Sequence, residues 1–206
     1  GTVDSQTTKN IALYLLGTTQ QISRREFVKI AKDVYWSETT ADLIFYELEK
    51  DYIRISDDIY ILYDNFSVQK NVLNQVVAWL HNHISPCGFL SMIGFNDFEN
   101  LPVIPYEWNS FLLVSIIKKY ELGFRLVSPA IRDRRYNKEI IVAKDSSYYH
   151  LDDIVYDLLV KNGINYIDES NLLSFLVINH LVSKVIPKEL VDSKNLNYAD
   201  GYFKIA

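Results

Sequence analysis

Four segments of the chain repeat apolar residues at the three- and four-residue spacing that lines one face of a helix. Such spacing predicts helices that bury one side and expose the other. The four sets are Ala41, Ile44, Phe45 and Leu48; Leu73, Val76, Val77 and Leu80; Leu113, Ile116, Ile117 and Tyr120; and Leu151, Ile154, Val155 and Leu158. We therefore expect a chain built mainly from one-sided helices packed on shared cores.

The first 64 residues contain predicted helix starts, followed by one segment in which the helical spacing of apolar residues gives way to the alternation of a β-strand. Ser23 and Ser37 each precede a periodic stretch, where a serine hydroxyl can accept from free amides of a first helical turn. Residues 52–63, YIRISDDIYILY, alternate β-branched and aromatic residues with polar ones around Asp57 and Asp58, which predicts a hairpin turning at the two acids. Residues 4–64 thus give the order helix, helix, helix, hairpin.

The same order recurs along the rest of the chain. Residues 67–83 predict a long amphipathic helix, YEWNSFLLVSIIKKY another, and FRLVS with KEIIVA a second hairpin. A third round begins with HLDDIVYDLLVKNG, where Gly163 suits a helix C-cap, and continues with a helix behind an Asp168 cap. Its end predicts only one closing strand, GYFKIA, so the first strand of that hairpin is expected to be missing.

This order of elements resembles the winged-helix superfamily, with units predicted at residues 1–64, 65–145 and 146–206. The expected fold class is mostly α with short β-hairpins (α+β), as tandem winged-helix domains. The resemblance implies that the third helix of a unit enters a DNA major groove while the hairpin, or wing, touches the backbone or minor groove. The superfamily also supplies protein-binding modules, as in cullin ends and the winged-helix subunits of chromosome-condensing complexes, so the fold does not choose between these roles.

Apolar run length, cysteine content and the start of the chain bear on the cellular location of the protein. The longest apolar runs, FLLVSII and LLSFLVI, are far shorter than the roughly 20 residues of a membrane helix, so no membrane partner is predicted. Cys87 is the single cysteine and cannot form an internal disulfide, which favours a reducing, intracellular location in the cytoplasm or, in a eukaryote, the nucleus. The start, GTVDSQTTKN, lacks an initiating Met and a signal-peptide pattern, so we expect a piece of a longer protein.

Charge separates the three predicted units. The chain has a formal net charge of -5, but the middle unit carries nine basic residues against seven acidic ones, whereas the first and third units are net acidic. The predicted recognition helix of the first unit is rich in acids, including Glu38, Asp42, Glu47 and Glu49, and would repel phosphate. The middle unit is therefore the predicted site of any nucleic-acid contact.

The stretch AIRDRRYNKEI, residues 130–140, is the predicted tip of the second wing. Arginine there suits phosphate because its planar guanidinium can pair with two oxygens at once. The predicted phosphate-binding residues are Arg132, Arg134, Arg135, Lys138, Lys118, Lys119 and Arg125, with Tyr136 available for stacking; Tyr106, Asn109 and Ser110 are predicted to approach bases. The alternative is a solvated turn whose charges maintain solubility, with Asp133 and Glu139 pairing internally.

No catalytic signature is visible, and we predict no catalytic residue, no metal and no cofactor. The chain has no Gly-rich phosphate loop, no Gly-x-Ser-x-Gly elbow and no His-Glu-x-x-His motif. In HNHISPC, His81, His83 and Cys87 lack a fourth ligand at zinc spacing, so helix-end packing of the histidines is favoured. The acidic pair Asp152 and Asp153 fits a helix N-terminus.

Three hypotheses about function follow. The first is a non-enzymatic DNA-binding module of a transcription- or DNA-associated protein. The second is a protein-interaction scaffold, favoured by the two acidic units and by aromatic residues at element edges, namely Trp36, Tyr106, Trp108, Tyr148 and Tyr149. The third is the recognition region of a larger enzyme, with the remainder of that longer chain as its partner.

Overall fold

A computed structural model describes the backbone of residues 21–33, 35–48, 51–130 and 137–206. Within these ranges the helices are α1 Arg24–Asp33, α2 Glu38–Leu48, α3 Lys70–Ile84, α4 Ser110–Tyr120, α5 Leu151–Lys161, α6 Glu169–Ile178 and α7 Lys188–Val191, with a 3₁₀ turn at Tyr63–Asn65. The strands are β1 Gln21–Ser23, β2 Tyr52–Arg54, β3 Ile59–Leu62, β4 Phe89–Ser91, β5 Phe124–Val127, β6 Ile140–Ala143, β7 Tyr166–Asp168, β8 Leu196–Ala199 and β9 Tyr202–Ile205. The predicted mixture of helices with short strands is thus confirmed.

The nine strands within the described ranges form three small antiparallel sheets of three strands each. The strand orders are β1-β3-β2, β4-β6-β5 and β7-β9-β8, so in each sheet the last strand of the three is central. The two hairpins predicted from alternation are present as the β2–β3 and β5–β6 pairs.

Local side-chain chemistry starts the helices as predicted. The Ser23 hydroxyl accepts from Glu26 N at 3.2 Å and the Ser37 hydroxyl accepts from Thr40 N at 3.1 Å. Asp168 caps α6 by accepting from Asn171 N at 3.0 Å. These contacts satisfy amides that the first turn of a helix leaves without an intrahelical acceptor.

The prediction of a single closing strand at the end of the chain is wrong. β8 pairs with β9 from Leu196 opposite Ile205 to Ala199 opposite Tyr202. The turn between them holds Asp200 at φ 49° and Gly201 at φ 79°. Two successive residues at positive φ are typical of a type I′ hairpin turn, for which Asp-Gly is a preferred sequence.

The first strand of each sheet, β1, β4 and β7, was not predicted either. Each is three residues long, which is too short for alternation of polar and apolar residues to distinguish it from a loop. β1 pairs with β3, β4 with β6 and β7 with β9, all antiparallel.

The chain divides into two compact bodies. The first body comprises Gly1–Leu73 and Val103–Lys119, and the second comprises Asn74–Pro102 and Tyr120–Ala206. The division of the sequence into three winged-helix units stays a prediction, and the two bodies are described separately.

The core of the first body joins α1 and α2 to the first sheet. Its buried residues are Ile22, Phe27, Ala31, Ala41, Ile44, Phe45, Tyr52 and Tyr60. The Phe45 ring lies 5.5 Å from the Phe27 ring and 5.0 Å from the Tyr60 ring, between centroids, which ties helix to helix and helix to strand.

The core of the second body joins α5, α6 and α7 to strands of the second and third sheets. Leu151, Ile154, Leu172, Leu176 and Leu190 are fully buried there. Burying this much apolar side-chain surface provides the main stabilisation of the body. Among the described residues, no helix combines the length and apolarity needed to cross a membrane.

Candidate macromolecule-binding site

Arg132, Arg134 and Arg135, the centre of the predicted site, lie outside the described residues, as do Asp133 and Tyr136. The described residues on either side show how the connection between β5 and β6 is held. Ala130 N donates to a Glu189 carboxylate oxygen at 3.0 Å, and the Ser128 hydroxyl donates to the Glu139 carboxylate.

The far end of this connection is equally well bound. Asn137 is buried, and its side-chain oxygen accepts from Glu139 N at 3.0 Å. Met92 N donates to the Glu139 carbonyl oxygen at 2.9 Å, which continues the β4–β6 pairing. Lys138 is half-buried between them. Both ends of the connection are therefore fixed to the second body.

Arg125, predicted to bind phosphate, is engaged with its own chain. Its Nη2 donates to the carbonyl oxygens of Ser146 at 2.7 Å and Tyr148 at 2.8 Å. The guanidinium carbon lies 3.9 Å from the centroid of the Tyr149 ring, a cation–π contact. Arg125 Nε is buried and has no hydrogen-bond partner among the described residues. The side chain braces β5 against residues 146–149.

Lys119 is engaged in the same way in the first body. Its Nζ donates to the carbonyl oxygens of Tyr63 and, at 2.7 Å, of Phe66. Nζ also lies 4.0 Å from the centroid of the Tyr63 ring. Burial lowers the pKa of Lys119 because it removes water from the ammonium, and the negative charge of Asp64 partly opposes this shift. The neighbouring Lys118 is exposed.

Asn109 is the N-cap of α4. Its Oδ1 accepts from Phe111 N at 3.0 Å and Leu112 N at 3.1 Å. Its Nδ2 donates to the carbonyl oxygens of Ile55 at 2.7 Å and Glu107 at 3.1 Å. Both ends of the amide are thus occupied by backbone groups of the first body, a geometry that leaves it no donor directed at a base.

The two remaining base-contact candidates lie close to Asn109 in the sequence. The Tyr106 ring is half-buried and stacks on Phe66 with 5.3 Å between centroids. Ser110 is the first residue of α4 and is half-buried. Of the described candidates, Tyr106, Asn109, Ser110, Lys118 and Lys119 belong to the first body, and Arg125 and Lys138 to the second.

Three basic residues on α1, the helix that precedes α2, are paired with carboxylates. An Arg24 nitrogen lies 2.6 Å from an Asp42 oxygen, and a Lys32 nitrogen lies 3.5 Å from a Glu38 oxygen. An Arg25 nitrogen lies 3.6 Å from an Asp57 oxygen. Each pairing lowers the positive charge that α1 presents to an anionic ligand.

The histidine-rich helix end packs on aromatic rings. His83 Nδ1 lies 2.9 Å from the Trp79 carbonyl oxygen, and its ring stacks on Trp79 with 3.8 Å between centroids. The His81 ring lies 5.0 Å from the Phe124 ring, and Cys87 is exposed. Within the described ranges, no group of three or more His, Cys, Asp or Glu side chains is arranged to hold a metal ion.

Two sets of residues that the structure brings together were not identified from the sequence. Arg54 places its guanidinium carbon 3.7 Å from the Phe111 ring centroid, and its carbonyl oxygen accepts from the Ser115 hydroxyl at 2.9 Å, which joins β2 to α4. The second set is an exposed group of tyrosines on the third sheet, led by Tyr166 and Tyr202. The Asp-Gly dipeptide just before Tyr202 is the sequence feature that indicates the hairpin of that sheet.

In comparisons with known proteins, the chain matches no family model, and no curated protein matches its sequence.

Proposed function

We propose that the chain is a tandem of three winged-helix units that binds nucleic acid through one wing and catalyses no reaction. Repeated topology supports this proposal. In each sheet the third strand is central, and one or two helices separate the first strand from the second. α1 and α2 lie between β1 and β2, α4 between β4 and β5, and α6 and α7 between β7 and β8. A helix pair followed by a hairpin is the arrangement of a winged helix-turn-helix.

The helices in the recognition position favour a contact through the wing. α2 is acidic in its first turn, and α7 is only four residues long. α4 has Asn109 and Lys119 bound to backbone carbonyls. A helix that reads a groove needs donors free to reach base edges or phosphates, so none of the three is well suited.

The main support for the proposal is that the β5–β6 connection is hydrogen-bonded to the second body at both of its described ends. Ala130 and Glu139 are hydrogen-bonded to α7 and to the β4 side of the second sheet, respectively. A binding segment held at its ends loses less conformational entropy when it binds. The connection carries Arg132, Arg134, Arg135 and Lys138, which would pair with phosphates.

The test is binding of duplex DNA at low salt, on the order of 50 mM. The parent chain is compared with a variant in which Arg132, Arg134 and Arg135 are changed to Ala. The matched control changes the exposed Lys144, Lys184 and Lys194 to Ala, so that both variants lose three positive charges. We expect the arginine variant to bind at least about tenfold more weakly than the control.

Two results would remove the proposal. One is the absence of detectable binding by the parent chain at low salt. The other is equal weakening in the two variants, because that outcome reports net charge rather than a local contact.

A second candidate function is a protein-interaction scaffold. The observation that favours it lies in the first body, where Tyr35 is 98% exposed and Leu43 is 66% exposed near the paired charges of α1 and α2. Exposed apolar side chains rimmed by charges are typical of protein-binding surfaces. Failure of DNA binding at low salt, with a folded parent chain, would favour this role over the first.

A further inference from the structure

Two exposed tyrosine rings stack on the outward face of the third sheet. Tyr166 in β7 is 61% exposed and Tyr202 in β9 is 40% exposed. Their ring centroids are 4.7 Å apart and their planes differ by 12°. The register pairs Asp168 with Tyr202 and Tyr166 with Lys204, so these side chains belong to one face of the sheet. Large aromatic rings held in this position present a flat surface to solvent.

The β8–β9 hairpin is hydrogen-bonded to the start of α6. Glu169 N donates to the Gly201 carbonyl oxygen at 3.1 Å, and the Tyr198 hydroxyl donates to the Glu169 carboxylate. Tyr198 also packs on the buried Phe203, with 4.7 Å between ring centroids. Because Tyr198 pairs with Phe203 across the strands, it lies on the opposite face from Tyr202, and its hydroxyl holds the Glu169 carboxylate there. We call Tyr166, Asp168, Asp200 and Tyr202 together the tyrosine patch. Its members are connected through a hairpin and a helix start rather than through a loose loop.

The tyrosine patch is acidic. It contains two carboxylates, Asp168 and Asp200, and the basic side chain opposite Tyr166 is Lys204. Hydrogen bonds from the Asn171 backbone and side chain lower the pKa of Asp168, so its carboxylate is charged at neutral pH. Burial against its neighbours raises the pKa of Tyr166, as do Tyr202 and the charges of Asp200 and Asp168. The rings therefore lie in a negative electrostatic environment.

A stacked aromatic surface beside carboxylates is complementary to arginine. The guanidinium is planar and stacks on tyrosine, while its N–H groups can pair with carboxylate oxygens. Arg125 makes this stacking contact within the chain itself, 3.9 Å above Tyr149. Phosphate, in contrast, would be repelled by the two carboxylates. The charge of the patch thus favours a cationic peptide over a nucleic acid.

We propose that the tyrosine patch binds an arginine-bearing segment of a protein partner. The arginine guanidinium stacks on the Tyr166–Tyr202 pair and donates to the carboxylates of Asp200 and Asp168. This site shares no residue with the β5–β6 connection, so it goes beyond nucleic-acid binding and does not depend on it.

The test uses a fluorescein-labelled peptide, Gly-Ser-Arg-Gly-Arg-Ser-Gly, and fluorescence anisotropy with the parent chain. A second peptide carries citrulline in place of each arginine, which keeps the shape and removes the charge. We expect the citrulline peptide to bind about tenfold more weakly. Equal affinity for the two peptides, or no binding of the arginine peptide at millimolar protein, would overturn the proposal.

Variants locate the site. Tyr166→Ser and Asp200→Asn should each weaken binding of the arginine peptide about three- to tenfold. Asn is well tolerated in a type I′ turn, so the second variant keeps the hairpin even if the first perturbs it. The matched controls are Tyr156→Ser and Asp145→Asn, which remove an exposed tyrosine and an exposed carboxylate elsewhere in the second body. Equal losses in variants and controls would overturn the proposal.

A final experiment distinguishes binding at the tyrosine patch from binding at the proposed wing contact. The Arg132, Arg134 and Arg135 triple variant should bind the arginine peptide as the parent chain does. A single-stranded oligothymidylate should not displace the peptide. Displacement by that oligonucleotide would overturn the proposal in favour of base stacking on the tyrosines.

Discussion

α4 of the first body and the tyrosine patch of the second body differ in where their candidate binding residues are directed, inward at α4 and towards solvent in the patch. At α4, Asn109 and Lys119 direct their polar atoms at carbonyl oxygens of their own body. In the patch, Tyr166 and Tyr202 keep 61% and 40% of their surface in solvent and have carboxylates around them. A polar or basic residue type therefore indicates a capacity to bind, whereas the acceptors already around the residue decide what it binds.

The largest expected effect comes from Arg125, which belongs with the inward-directed group although it lies in the second body. Arg125→Ala removes two hydrogen bonds to carbonyls and the stacking on Tyr149. Hydrogen bonds from a charged donor contribute about 1.5–3 kcal/mol, so we expect the free energy of unfolding to fall by about 2–3 kcal/mol. Urea denaturation of the parent and the variant measures it.

The control for this prediction is Arg25→Ala. The Arg25 side chain is 77% exposed and its partner oxygens lie 3.6 Å and 3.9 Å away. Exposed ion pairs of this kind contribute about 0–1 kcal/mol. Equal losses for the two arginines would break the distinction between inward-directed and outward-directed cations.

We expect the next largest loss of stability at Asn109, where two substitutions distinguish its capping of α4 from its hydrogen bond to Ile55. Asn109→Ala removes the cap of α4 and the donor to the Ile55 carbonyl, and should lower the free energy of unfolding by about 1–2 kcal/mol. Asn109→Ser keeps a capping oxygen and loses the donor to the Ile55 carbonyl without adding a charge, so thermal or urea unfolding should show a smaller loss. If the Ser variant is as unstable as the Ala variant, the capping contact does not stabilise α4.

Much of this arrangement could be predicted from the sequence, because helix starts and long hairpins depend on neighbouring residues. Ser23, Ser37 and Asp168 cap helices through amides three residues away. β1, β4 and β7 could not be found in this way, since three residues carry too little periodicity. β8 could have been found, because Asp200 and Gly201 form a favoured hairpin turn.

The roles of the candidate site residues could not be predicted because their partners are remote in the chain. Lys119 bonds to Tyr63, 56 positions earlier, and Asn109 bonds to Ile55, 54 positions earlier. No local pattern reports such a contact. Tyr166 was overlooked for the related reason that a single tyrosine carries no sign of the Tyr202 ring that stacks on it after the sheet forms.

A smaller effect depends on pH and concerns Asp153, another inward-directed group. Partial burial alone would raise the pKa of Asp153, but hydrogen bonds from His150 N, Tyr149 N and Asn195 Nδ2 outweigh it and lower the pKa. Because the pKa is lower in the folded state, this carboxylate stabilises the fold above about pH 4, and the contribution disappears as the pH falls through the folded-state pKa.

We therefore expect Asp153→Asn to be less stable than the parent chain at neutral pH, with the difference shrinking towards zero in acid. Urea midpoints measured between about pH 2 and pH 7 check this. Asp145→Asn, at an exposed position, controls for the loss of one carboxylate. A difference that is the same at every pH would show that the charge of Asp153 is not what stabilises the start of α5.

The most direct test of the proposed wing contact compares the salt dependence of DNA affinity for two variants. The Arg132, Arg134 and Arg135 triple variant should have a slope of log affinity against log salt that is shallower by about 2.7, because three phosphate contacts are lost. Lys119→Met should keep the slope of the parent chain, since Lys119 Nζ is bound to the carbonyl oxygens of Tyr63 and Phe66. A shallower slope for Lys119→Met together with an unchanged slope for the arginine variant would show that Lys119, and not the three arginines, contacts phosphate.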